Sequence, residues 1–136
     1  MADAPPSRGV APASLPLIRI ALLAGVLLFG AVTWWLHRGA RIEVVNARDL
    51  RPLRQAGSVV WVAAMVAEVV LFVIRLRGRT RDAAAQQSQR VMAWAAGEAV
   101  ALFGAVYYFR SGDPQWFAFG LVFFVLVLLS FPARVD

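Results

Sequence analysis

Apolar positions along the chain gather into four long runs separated by short polar segments. The first, from Leu15 to Leu36, holds about 22 residues broken only by Arg19, long enough at 1.5 Å per residue to cross a hydrocarbon layer about 30 Å thick. A second run covers about Gly57–Leu76 and carries Glu68, and a third covers about Val91–Phe109 and carries Glu98. The fourth, about Gln115–Phe131, has no charge, and its Phe, Leu and Val suit a largely lipid-facing helix. The pattern predicts an all-α fold: an integral membrane four-helix bundle of up-and-down topology, with spans at about 15–36, 57–76, 91–109 and 115–131. A signal peptide is the competing reading of the first run. That run is long for such a segment and ends in Trp34-Trp35 and His37-Arg38 rather than a small-residue cleavage site, which favours retention.

The intervening segments divide the chain into two parts. Met1–Ser14 contains three prolines and little apolar surface, predicting a disordered N-terminal tail over 1–14 ahead of a transmembrane domain over 15–136. The connector from His37 to Ala56 carries five arginines interrupted by Ile42, Val44, Val45, Leu50 and Leu53, a spacing suited to lying along the interface but not cleanly helical. Ala83–Gln89 reads as a polar linker. Arg110-Ser-Gly-Asp-Pro114 reads as a tight turn between the last two helices.

Composition sharpens this picture. Of 136 residues 60% are hydrophobic and 16% charged, whereas soluble domains of this size are about a quarter charged. With no cysteine and a single histidine, His37, no credible metal-ligand set is expected, and no cofactor. All 14 basic residues are arginine, giving a net charge of +6. They cluster at the ends of apolar runs, where they point to membrane orientation and anionic lipid headgroups rather than nucleic acid. Arg8, Arg75, Arg77, Arg79, Arg81, Arg90 and Arg134 fall on one side of the expected bundle, and Arg38, Arg41, Arg48, Arg51, Arg54 and Arg110 on the other. Subtracting acids favours both termini in the cytoplasm, and the short loops suggest a bacterial cytoplasmic membrane. Trp34, Trp35, Tyr107, Tyr108 and Trp116 mark the far interface. Arg75, Arg77, Arg79 and Arg81, with Trp34, Trp35 and Trp116, are the expected headgroup or partner contacts.

Three ionisable residues lie within the expected spans at comparable depths. Arg19 is about 6 Å and Glu98 about 10 Å beyond the start of their helices, and Glu68 is about 12 Å back from the exit of the oppositely directed second helix. All three occupy the same half of the expected membrane. A carboxylate in hydrocarbon costs a few kcal/mol unless paired, protonated or wetted, so the expectation is an inward-facing cluster of Arg19, Glu68 and Glu98. The alternatives are that Arg19 snorkels to the headgroups and that each glutamate is neutral and bonded to a neighbouring carbonyl. Ala93, Gly97, Ala101 and Ala105 form a small-residue stripe that would let another helix approach beside Glu98. Ala63, Ala64 and Ala67 do the same beside Glu68.

The segment Gly97-Glu98-Ala99-Val100-Ala101-Leu102-Phe103-Gly104-Ala105-Val106 resembles the carboxylate-bearing helix of the proteolipid (c) subunit of rotary ATP synthases. That family has a mid-membrane carboxylate, a small residue after it and then an aromatic-glycine pair. For Glu98 alone, the resemblance implies a reversible proton or sodium site. The chain departs from the family in having four spans instead of two and no glycine repeat ahead of the carboxylate, which argues against a rotor-ring role.

Two function classes follow. No loop is long enough for an extramembrane active site, and Ser58, Ser88, Ser111 and Ser130 lack a histidine base, so a non-enzymatic accessory or scaffold subunit is expected, in a homo-oligomer or larger membrane complex. The alternative is an oligomeric proton- or sodium-coupled carrier or channel with Glu98 as its titrating group, tuned by Glu68 and Arg19.

Overall fold

The computed structural model describes residues 14–39, 43–46, 48–78 and 83–132. Within these residues the chain is all-helical: α1 (Leu15–Arg38), α2 (Arg51–Leu76), α3 (Ala83–Ser111) and α4 (Gln115–Ser130). Residues 1–13 of the expected tail lie outside the described residues.

Helices α1, α2 and α3, of 24, 26 and 29 residues, are each long and apolar enough to cross a membrane. The fourth expected span is shorter: α4 has 16 residues, about 24 Å at 1.5 Å per residue, because the turn at Gly112–Pro114 and Pro132 bound it closely. Two boundaries also move outward. Helix α2 begins at Arg51 rather than Gly57, with Pro52 in its first turn, where a missing N–H costs nothing. Helix α3 begins at Ala83 rather than Val91, so the Ala-Ala-Ala-Gln-Gln segment is helix and not linker. Alanine and glutamine are good helix formers, and a boundary drawn from apolarity alone overlooks their polar turns.

Helix α3 is the hub, packing most closely against α4 and also against α2 and α1, while α1 makes only slight contact with α4. Three glycines explain the intimacy of α3 and α4. A Cβ on Gly104 would stand 2.9 Å from Phe117 Cα, and one on Gly120 would stand 2.9 Å from Ala101 Cα and Val100 O. One on Gly97 would meet Phe124 and Val127 side chains at 3.0 and 3.3 Å. Contacts descend one helix as they climb the other, so the pair is antiparallel. The small stripe Ala93, Gly97, Ala101 and Ala105 is fully buried, as are Trp94 and Phe124 beside it. α1 covers this core with Leu15 and Val26.

The expectation of a largely lipid-facing α4 holds for one face only, where Phe119, Val122, Leu126 and Leu129 are exposed. Gly120, Phe124, Val127 and Leu128 are buried against the rest of the chain, because uncharged, apolar composition suits a protein core as well as lipid. Helix α2 is the barest element, with only Gly57 and Ala64 buried and Val59, Val62, Met65, Val66 and Val69 exposed.

The ends of the helices are tied at one pole. Val45 N–H donates to Arg110 O at 3.1 Å, fastening the α1–α2 connector to the end of α3. His37 Nε2 donates to Tyr108 O at 3.2 Å, and its ring stacks on Tyr108 with centroids 5.3 Å apart. The α3–α4 turn needs Gly112 at φ +73°, a left-handed conformation natural to glycine. Asp113 Oδ1 accepts from Gln115 N–H at 3.0 Å to start α4.

Candidate functional site

Arg19 follows Leu15 by four residues and precedes Val26 by seven, so helical periodicity sets it on the packed face of α1, where it is half-buried. Glu68 belongs to the packed face of α2 in the series Gly57, Trp61, Ala64, Glu68, Leu71, Arg75, whose spacings of four and three keep one side of the helix. Glu98 is half-buried on α3, in the row Trp94, Glu98, Leu102 beside the core that α1 covers.

These positions separate the two acids laterally. Tyr107 lines a small cavity with Gly57 and Trp61 of α2, and it lies nine residues from Glu98, about half a turn round the helix at 100° per residue. Glu98 thus looks away from α2. Their heights are nevertheless close, since Val127 of α4 reaches both the surroundings of Glu68 and the backbone of Gly97. No ion pair joins Arg19, Glu68 and Glu98 among the described residues, and α1 makes at most a slight contact with α2. The expected three-residue cluster is not joined by ion pairs among the described residues, because helix rotation and packing, not depth alone, decide which side chains meet.

Glu68 instead faces α4. It lines a groove of about 270 Å³, open on one side, whose other walls are Val69, Phe72, Phe123, Leu126, Val127, Ser130 and Phe131. Its Oε1 is buried with no hydrogen-bond partner among the described residues. Towards one end of the groove the Trp61 ring meets Phe123, with centroids 5.3 Å apart. Towards the other end Arg75 donates to Ser130 O and holds its guanidinium 5.6 Å from the Phe131 ring centroid.

The remaining charged and aromatic candidates have distinct settings. Arg75 caps the C-terminus of α4, where unpaired carbonyls favour a cation. Arg77 is exposed at the end of α2, and Arg79 and Arg81 lie outside the described residues. Trp34 is exposed under Arg38, whose Cζ sits 4.0 Å from the ring centroid, and Trp35 is exposed beside it. Trp116 is half-buried, edge-on to Tyr107 with centroids 6.1 Å apart. Ser58 and Ser130 return their hydroxyls to carbonyls four residues back in their own helices, and Ser111 Oγ accepts from Asp113 N–H in the turn.

Two buried indole N–H groups escape sequence reasoning. Trp94, fully buried, donates its indole N–H to Phe131 O at 3.0 Å. Trp61 Nε1 is buried without an acceptor among the described residues, and it borders a space of about 10 Å³, close to the size of one water. A tryptophan with polar work inside the bundle has no sequence mark that separates it from the interfacial tryptophans. No family model matches the chain, and neither a curated protein nor a solved structure resembles it.

Proposed function

We propose that this chain is a multi-pass integral membrane protein, an up-and-down bundle of four helices, acting as a non-enzymatic accessory or scaffold subunit of a membrane complex. Three helices have the length and apolarity to span, and α4, about 24 Å long, spans with local thinning of the bilayer around it. The observation that carries the subunit reading is the filled apolar centre. Trp94, Phe124, Val26 and Val100 are fully buried there, where a conduit through a single chain would need polar or hydrated walls. The apolar outer face of α2 supplies the surface for lateral association, with anionic lipids at Arg77 and at the Arg38–Trp34 pair. A bacterial cytoplasmic membrane with both termini inside suits the arginine distribution.

Photo-crosslinking from Val66, on the bare face of α2, in native membranes tests this reading. A discrete protein adduct of constant mass, whether a second copy or another subunit, is the expected result. Lipid adducts alone, together with proton or sodium flux in vesicles that Glu98→Gln abolishes, would replace the scaffold reading with the ion-coupled one.

A further inference from the structure

We infer that the groove between α2 and α4 is a binding site for a small hydrophobic amine, entering sideways from the bilayer and held by its protonated nitrogen on Glu68. The reasoning starts from an imbalance. The groove is apolar except for Glu68 and the end of α4, yet the one carboxyl lining it has a buried oxygen with no donor among the described residues. A buried acceptor left unpaired is costly, and a cation is the partner that recovers most of that cost. Arg75, the nearest cation along the face of α2, is occupied at Ser130 O, and Arg19 is on a helix that makes at most a slight contact with α2.

Shape then selects the class of occupant. A partner transmembrane helix needs an open channel along its length, but contacts from α2 to α4 cross on either side of Glu68, the Trp61–Phe123 ring contact towards one end and the Arg75–Ser130 O hydrogen bond towards the other. About 270 Å³ between them is near the lower end of small-molecule pockets. Phe72, Phe123 and Phe131 line it, offering ring faces that attract a cation as well as an apolar body. A neutral alcohol lacks the charge that would stabilise an ionised Glu68. A fatty acid would bring a second carboxyl beside the first.

The test is saturable binding of radiolabelled 4-phenylbutylamine to the full chain in nanodiscs of zwitterionic lipid, with 4-phenylbutanol and 4-phenylbutyrate as competitors. The expected result is one site per chain, at least tenfold weaker in Glu68→Gln and lost in Leu126→Trp, which fills the groove from an exposed position. Glu98→Gln removes the other acid of similar depth and should bind as the wild type does; retained helicity and monodispersity confirm that the variants fold. Equal binding by wild type and Glu68→Gln, displacement by the alcohol, or equal loss in Glu98→Gln would overturn the proposal. So would binding that emerges only in Arg134→Ala, which gives the groove to the chain's own C-terminal segment, or a dimer that dissociates in Glu68→Gln, which gives it to a second copy. The site does not depend on the scaffold reading, because crosslinking from Val66 reports on the opposite, outer face of α2.

Discussion

The indole of Trp94 and the carbonyl of Phe131 meet at 3.0 Å in the interior, 37 residues apart in sequence. The bond ties the first half of α3 to the residue that follows α4, and both side chains belong to the same core. It therefore fixes the register of the hairpin at the end opposite its turn. Trp94→Phe keeps most of the ring volume but strands the Phe131 carbonyl, and the expected loss is about 1–3 kcal/mol. Trp94→Ala adds a cavity and should cost about 3–5 kcal/mol. Equilibrium unfolding in mixed detergent checks the order; equal stability of wild type and Trp94→Phe would show that the bond contributes nothing.

The glycines at the α3–α4 crossing are expected to be unequal to those elsewhere. At Gly104 an added Cβ would meet Trp116 O and Phe117 Cα, and both are backbone atoms that cannot turn aside. Gly104→Ala should therefore force the helices apart and cost about 1–3 kcal/mol. Gly25, exposed in α1, has nothing within 4 Å of the same position. Gly25→Ala should be neutral or stabilising by up to about 1 kcal/mol, through helix propensity. Thermal denaturation of the two variants side by side reads the contrast directly.

Arg75 and Arg77 look alike in the basic cluster but have different partners. Arg75 donates to Ser130 O, whereas Arg77 is exposed just past the end of α2. Removing the cation from the α4 terminus should cost about 0.3–1 kcal/mol. Hydrogen exchange should accordingly quicken over Leu128–Phe131 in Arg75→Gln and stay unchanged in Arg77→Gln. Matched exchange in the two variants would return Arg75 to the ordinary interfacial arginines.

The elements and their order were legible because hydrocarbon demands continuous apolar runs, and each charged residue inside a run stands out. What stayed hidden depends on which helices are neighbours. Arg19 and Glu68 fall in the same half of the expected membrane, but α3 and α4 pack together and leave α1 and α2 with at most a slight contact, and no ion pair joins them among the described residues. Glu68 meets Phe123 and Val127 instead, a pairing no spacing encodes. The same limit applies to α4, whose composition fits both lipid and core. Only the matching of Gly97, Gly104 and Gly120 to its neighbours makes it core. Ala83–Gln89 is hidden for another reason: its helical turns are polar, so the apolar run does not mark where α3 begins.

Orientation offers the final prediction. The hydrogen bond from Val45 to Arg110, with the stacked His37 and Tyr108, gathers the α1–α2 connector and the α3–α4 turn at one pole, so both must lie on one side of any membrane the bundle crosses. The chain has no cysteine, which permits single-cysteine labelling without background. In intact cells a membrane-impermeant maleimide should label Asn46→Cys and Pro114→Cys, while Arg77→Cys and Arg134→Cys should react only after permeabilisation. Arg134→Cys is the decisive position, because it reports whether α4, at about 24 Å, crosses. Labelling of Arg134→Cys together with Pro114→Cys from outside would make α4 a helix that turns back within the protein and leave three spans. Full inversion of the pattern would keep the four spans and move both termini outside, against the orientation proposed from the arginine distribution.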